Sequence, residues 1–370
     1  MTNIYSKIIG TGRCIPTDEK SNEWFCRNQL YDIRKNLIKK DKEEILKSFE
    51  KVGTGIISRR HVTDDQMASD IGFLAAKDAI LSSGIDPMTL DYLIVAHNFG
   101  DIHIENRRQE QTPPIASRIK HKLEHDLGFE SPKTVALDIV FGCPGWLEGV
   151  IIADSLIKTG AKRIMVVGTE TLSRISDPHD QNDRLFSDGS GAIILERIES
   201  EHAVGIIGHG AQSDTKHDLL KLWMGSSNNP DYPGNDLFLK MNGDLLLKYA
   251  VSKVPILIQE VLDKTGIPLE KIDKVIIHQA NERLDKGALE RLFYNYNKER
   301  KEGEKIQIPP NIMPMTIGWL GNSSVATIPT LLDLLFKNEL EGHTVVSGNY
   351  LLVVSVGAGL NINVMVYRMP

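Results

Sequence analysis

The sequence predicts an α/β fold built from two similar halves, with mainly parallel sheets buried between layers of helices. Two observations point there. Unbroken apolar strands, such as Arg163-Ile164-Met165-Val166-Val167-Gly168 and Leu351-Leu352-Val353-Val354-Ser355-Val356-Gly357, follow helical stretches. Strands without polar alternation belong to sheets covered on both faces. The second observation is an internal echo. Residues 79–85 with 90–95 match residues 261–267 with 272–277: a helix, a Gly cap, a short loop, then a buried strand opened by Leu-Asp or Ile-Asp. One interval separates Gly142 from Gly321, Cys143 from Asn322, Asp154 from Asp333 and Lys158 from Lys337. The length agrees, since 370 residues with 41% hydrophobic content suit two domains or two halves of one unit, here 1–200 and 201–370.

The elements follow in order. Gly10-Thr11-Gly12 lacks the third glycine of a dinucleotide loop and reads as a turn after the first strand. The spacing of Leu30, Ile33 and Leu37, then Ile45 and Phe49, predicts an added amphipathic helix within 27–51. Further added sequence lies at 97–108 and 294–307. Residues 135–141 read as a strand, Gly142-Cys143-Pro144-Gly145 as a turn, and Trp146 to Gly160 as a helix. Gly321-Asn322 leads in the same way into a helix carrying Asp333 and Lys337.

Charge and cysteine usage exclude several classes. A formal net charge of −6 argues against a nucleic-acid partner. Basic runs such as Lys39-Lys40-Asp41-Lys42-Glu43-Glu44 are interleaved with acids, as on a solvated face. Cys14, Cys26 and Cys143 share no metal-ligand spacing, so no metal site is expected. No apolar run approaches the roughly 18 residues that span a membrane, and the N-terminus has no signal-peptide core. A cytoplasmic protein with reduced thiols, not inserted in a membrane, is expected.

Cys143 closes a strand-to-helix turn, where the helix N-terminus favours a thiolate and hence a nucleophile. The repeat makes Asn322 its counterpart, although Asn322-Ser323-Ser324 before an apolar helix also reads as an ordinary N-cap. His278 ends the strand Val275-Ile276-Ile277, and functional groups in α/β sheets collect at such strand ends. Alone it reads equally as a capping histidine. A pseudo-two-fold relation between the halves would bring all three to one pocket. A thiol, an imidazole and a carboxamide suit acyl transfer, with the sulfur taking the acyl group from a thioester. Backbone N–H groups of Cys143 and of the Gly357-Ala358-Gly359 turn would bind the oxyanion. His278 and Asn322 would stabilise an enolate made by decarboxylation. Apolar Phe141, Trp146 and Leu147 favour exclusion of water, and so condensation over hydrolysis.

Several motifs together resemble the β-ketoacyl-acyl carrier protein synthase III family of the thiolase superfamily. They are Thr54-Gly55-Ile56 with Arg59-Arg60-His61, Gly142-Cys143-Pro144-Gly145-Trp146, and Ser187-Asp188-Gly189-Ser190-Gly191-Ala192. Also among them are His278-Gln279-Ala280-Asn281, the stretch from Gly321 to Pro329, and Val356-Gly357-Ala358-Gly359. The resemblance implies a thiolase-like fold of two βαβαβαββ halves in five layers, α-β-α-β-α. It implies a homodimer with no metal or redox cofactor, acting on thioesters of CoA or acyl-carrier protein. The implied reaction is a decarboxylative Claisen condensation in fatty acid or related biosynthesis. Cys143 accepts the acyl group, malonyl-acyl carrier protein loses CO2 beside His278 and Asn322, and a 3-oxoacyl product leaves. The backbone of Cys143 and Ala358 would form the oxyanion site. Arg283, Asn281, Phe49 and Pro113 would contact substrate or carrier protein.

The chain departs from the family in places. Phe49 stands near the usual Trp that stacks on the CoA adenine, and Gly53 replaces an Arg. Pro113 stands where a Phe of the dimer-crossing loop closes the acyl pocket, which would leave room for a longer primer. Ala358 replaces the central glycine of its turn. No cysteine follows Cys143, unlike degradative thiolases, and neither Glu148 nor Glu110 carries the motif of a hydroxymethylglutaryl-CoA synthase base. Two alternatives stay open: an enzyme joining two longer acyl chains, as in dialkylresorcinol or head-to-head lipid pathways, and a non-catalytic subunit shaping a partner's pocket.

Overall fold

The structure, a computed structural model, describes residues 2–370. Its first part runs β1 (Asn3–Cys14), β2 (Asp18–Ser21), α1 (Lys42–Val52), β3 (Ser58–His61), α2 (Ala68–Ser83), β4 (Tyr92–Ala96), β5 (Asp101–Ile102) and β6 (Gln109–Glu110). It continues with α3 (Ile115–Leu127), β7 (Val135–Ile139), α4 (Gly145–Lys158), β8 (Arg163–Thr171) and β9 (Asp188–Ser200). The second part runs β10 (Gly205–Ser213), β11 (Leu222–Gly225), β12 (Phe238–Met241), α5 (Gly243–Thr265), β13 (Ile272–Ile277), α6 (Glu282–Asn297), α7 (Ile317–Leu320), α8 (Thr327–Phe336), β14 (Tyr350–Gly357) and β15 (Asn361–Arg368).

Five strands pair in the order β1-β9-β8-β4-β7, and four in the order β10-β15-β14-β13. Strands β7, β4 and β8 run parallel, as do β13 and β14. The remaining pairs of both sheets are antiparallel. The sheets are therefore mixed, not mainly parallel as expected. The connections explain the difference: β14 turns straight back into β15, and a short reversal joins only antiparallel neighbours, whereas parallel pairs need a crossover.

Helices α4 and α8 lie between the two sheets and touch both, α2 and α3 cover the outer face of the first sheet, and α5, backed by α6, covers the second. That is the five-layered α-β-α-β-α arrangement. The middle layer is a continuous apolar core in which Trp146, Leu147, Leu331 and Leu335 meet Ile94, Val166 and Val353 from the two sheets. Each middle helix also carries an ion pair one turn apart, Asp154–Lys158 at 2.6 Å and Asp333–Lys337 at 2.9 Å, with both aspartates fully buried. These are the positions the repeat makes equivalent. Ser6 and Arg13 of β1 reach Asp154 and Asp333 at 2.7 and 2.5 Å, tying the first strand to both helices.

Two local expectations are corrected. Gly10-Thr11-Gly12 lies inside β1, not in a turn. A Cβ on Gly10 would come within 2.6 Å of the Ala79 carbonyl oxygen, so these glycines let α2 seat on the strand. The predicted helix in 27–51 is confined to α1, opened by a capping box of Asp41 and Glu44. Upstream, the Asp32 carboxylate accepts the N–H groups of Arg34 and Asn36 at 2.8 and 2.9 Å. Those bonds compete with helix formation, and Ile33 and Leu37 are exposed. No helix among the described residues is long and apolar enough to cross a membrane.

Candidate active site

Cys143 sits between β7 and α4, on a turn that depends on Gly142. That glycine takes φ +70°, and a Cβ on it would come within 2.8 Å of the Ala358 carbonyl oxygen. Only glycine combines this left-handed angle with so close an approach. The turn of the first half is thus pressed against the β14–β15 turn of the second. Gly359, with φ +129°, takes the unusual angle there, so Ala358 accommodates its Cβ without left-handed strain.

His278 follows β13, and its backbone N–H donates to the Val354 carbonyl at 2.8 Å. Its ring is buried, with Nδ1 2.6 Å from Thr327 Oγ1. The Thr327 oxygen is also 3.1 Å from the Ser324 carbonyl. One hydroxyl hydrogen thus faces two acceptors, and either ring tautomer can be held. Burial lowers the imidazole to about 3, so the ring is neutral at pH 7.

Asn322 is not a helix cap. It lies in an extended segment paired with residues 185–187, with its N–H on the Leu185 carbonyl at 3.0 Å and its carbonyl accepting from Ser187 at 2.9 Å. Helix α8 begins five residues later, after a 3-10 turn over Ser324–Ala326. Asn322 Oδ1 accepts the Ser324 N–H at 2.9 Å, and Nδ2 is 3.5 Å from the Ala280 carbonyl. The amide therefore turns its NH2 toward the segment that carries His278. Gly168 of β8 allows this loop to close in, because a Cβ there would collide with the Val325 carbonyl oxygen.

Cys143, His278 and Asn322 line one cavity of about 260 Å3, whose wall is otherwise largely apolar, with Leu172, Phe186, Trp223, Met241 and Leu246 among its members. Burial pushes the Cys143 thiol up to about 11, and the nearby Glu170 carboxylate adds to the rise. Hydrogen bonds from Ser324 and from the backbone N–H groups of Cys143 and Ala358 pull it down by less. Burial thus works against the thiolate that the helix start favours. The arrangement places a thiol and a neutral imidazole on the wall of one largely apolar cavity.

A sequence model described as 3-Oxoacyl-[acyl-carrier-protein (ACP)] synthase III matches residues 137–215, and its C-terminal counterpart matches residues 262–369. Together they account for half of the chain. The protein belongs to the 3-oxoacyl-[acyl-carrier-protein] synthase III family. It is an acyl-transferring condensing enzyme that acts on acyl thioesters, with the thiolase-like α/β fold.

Solved structures agree. The chain resembles 3-oxoacyl-[acyl-carrier-protein] synthase III from Aquifex aeolicus at 28% identity and TM-score 0.76, covering 98% of this chain and 99% of that one. The Thermus thermophilus synthase III matches at 26% identity and TM-score 0.75, with coverage of 98% and 99%. OleA from Xanthomonas campestris shares the fold at TM-score 0.72 and 17% identity, covering 100% and 98%.

The other residues singled out in the sequence are placed differently. Asn281 lines the cavity, but its Oδ1 caps α6 by accepting the Leu284 N–H at 2.9 Å. Arg283 lies outside the cavity, in an open groove along α5 and α6 with Lys248, Lys286 and Arg291. Phe49 is a correction. It is buried in a small core with Phe25, Leu30 and Ile45, and the Arg184 guanidinium covers its ring at 4.1 Å. No free face remains to stack on an adenine. Pro113 is exposed and lies off the cavity wall of its own chain.

Four polar residues around the thiol escaped the sequence reading: Asn98, Glu170, Ser324 and Thr327. Glu170 is fully buried, and its Oε2 accepts from the Asn98 backbone N–H and side-chain NH2 at 2.9 and 2.7 Å. Burial raises its carboxyl to about 7. A carboxylate ending an apolar strand was the available signal for Glu170. Ser324 and Thr327 stand in a motif already noted, but without roles.

Proposed function

We propose that this chain condenses an acyl thioester with malonyl-acyl carrier protein to give 3-oxoacyl-acyl carrier protein, using Cys143, His278 and Asn322. The supporting observation is that a half-buried thiol, a neutral imidazole and a carboxamide face one largely apolar cavity. In the loading step His278 Nε2 accepts the thiol proton as the sulfur attacks the acyl carbonyl. The N–H groups of Cys143 and Ala358 hold the oxyanion. The departing CoA or carrier thiolate then takes the proton from the imidazolium. In the second step the malonyl C–C bond to the carboxylate breaks, CO2 leaves, and the electron pair enters a thioester enolate. Asn322 Nδ2 and a neutral His278, now the Nε2–H tautomer with Nδ1 accepting from the Thr327 hydroxyl, bond its oxygen without protonating its carbon. The carbon attacks the acyl group on Cys143, and the sulfur leaves as a thiolate that takes from solvent the one proton the overall condensation consumes.

An enolate born by loss of CO2 needs no carboxylate base, whereas joining two unactivated acyl chains requires removal of an α-proton, so the two readings differ in whether a carboxylate must reach the cavity. An acidic carrier protein fits the cationic groove around Arg283. A homodimer is proposed from β7, an edge strand of its sheet whose Val135 is 49% exposed, since such an edge invites pairing. A reducing cytoplasm would keep the free Cys143 thiol available, and no cofactor beyond the substrate's own pantetheine arm is invoked.

The test is a ladder of acyl-CoA thioesters, short to long, followed by malonyl-acyl carrier protein. The expected result is acyl mass on the Cys143 peptide, then CO2 and a 3-oxoacyl product. Product formed from two long acyl donors without CO2 from a malonyl group would refute the reading.

A further inference from the structure

Ser324 has a left-handed backbone, φ +53°, which is unfavourable for a residue with a Cβ. It is almost completely buried. Non-glycine residues held in this region gather where function requires them. Each polar group of Ser324 has a different task. Its N–H donates to Asn322 Oδ1 at 2.9 Å, which orients the carboxamide. Its carbonyl accepts the Thr327 hydroxyl, whose oxygen touches His278 Nδ1 at 2.6 Å. Its Oγ accepts from Asn98 Nδ2 at 3.0 Å, and Asn98 is in turn held by Glu170 at 2.7 Å. With its oxygen accepting from Asn98, the Ser324 hydroxyl hydrogen is left for the cavity that Ser324 and Cys143 both line, and Ser324 pulls the Cys143 thiol down.

We propose that Ser324 is the positioning residue of this site, bonding to the carboxamide through its N–H, to the imidazole through Thr327, and to the nucleophile through its hydroxyl. The proposal rests on the reading of Cys143, His278 and Asn322 given above. The chain Glu170–Asn98–Ser324–Cys143 aims the hydroxyl so that it donates to sulfur as negative charge develops there. A charge-assisted bond of this kind strengthens when the thiolate forms.

Ser324→Ala and Ser324→Gly both remove the hydroxyl and keep the N–H and carbonyl, and glycine also relieves the left-handed angle. Alkylation of Cys143 by iodoacetamide at pH 7.5, followed on the intact protein, reports thiolate formation without any substrate. Decarboxylation of malonyl-CoA reports His278 and Asn322. Both variants should lose about tenfold more alkylation rate than decarboxylation rate, as expected for a lost bond to a charged group. Parental alkylation in either variant would overturn the proposal, and so would equal losses in the two assays. A parent protein inert toward malonyl-CoA would count against the decarboxylative reading, while the alkylation rates would still decide the role of Ser324.

Discussion

Replacing Thr327 by Val removes one hydroxyl and little else in shape. His278 Nδ1 loses a partner at 2.6 Å and the Ser324 carbonyl loses one at 3.1 Å, both in a buried setting. Leaving a buried polar group unsatisfied costs about 1–3 kcal/mol. Because His278 is neutral, with burial holding it at about 3, no charge is stranded and the loss stays in that range. If the bond also orients the ring, the same energy appears in the loading barrier, where about 1.4 kcal/mol is tenfold. T327V should therefore load Cys143 from acyl-CoA about 10 to 100 times more slowly, with a lowered Tm. Thr327→Ser, which restores a hydroxyl, should recover most of the rate. Rapid-quench measurement of acyl-Cys143, beside thermal melts, separates the effects. A T327V protein with a lowered Tm but parental loading would reduce Thr327 to a packing role and refute the link to His278.

Two further expectations concern charge. With its thiol pushed up to about 11, Cys143 should alkylate about tenfold faster per pH unit from 7 to 10, as the thiolate fraction grows. The rate is read as the difference from Cys143→Ser, because Cys14 is also pushed to about 11 by burial, and a plateau near pH 8 would contradict the burial argument. Arg283→Glu should raise KM for malonyl-acyl carrier protein about fivefold to tenfold and leave loading from acyl-CoA unchanged, as for a charge at the rim of an interface. Equal effects on both substrates would remove the carrier protein from that groove.

Local chemistry made much of the fold legible. Gly84 and Gly266 end α2 and α5 in matching left-handed caps, φ +66° and +67°, because a C-cap glycine depends on little beyond its own helix. Cys143, His278 and Asn322 were legible through the repeat and their motifs. What failed depended on contacts that the apolar pattern does not carry. The spacing of Leu30, Ile33 and Leu37 suggested a helix, but the Asp32 side chain captured the backbone first. Phe49 stands near the position of the family's stacking Trp, but Arg184, far along the chain, covers its ring. The helix N-terminus beside Cys143 favours a thiolate, but burial pushes the thiol the other way. The links through Ser324 require the close approach at Gly168, which no local pattern encodes.

The middle layer has one more consequence. Helices α4 and α8 come from different repeats, yet each packs on both sheets. A single copy of the repeat would leave one flank of its buried helix, and half of the reaction chamber, open to water. The chamber therefore needs both halves at once, and neither half could close it alone.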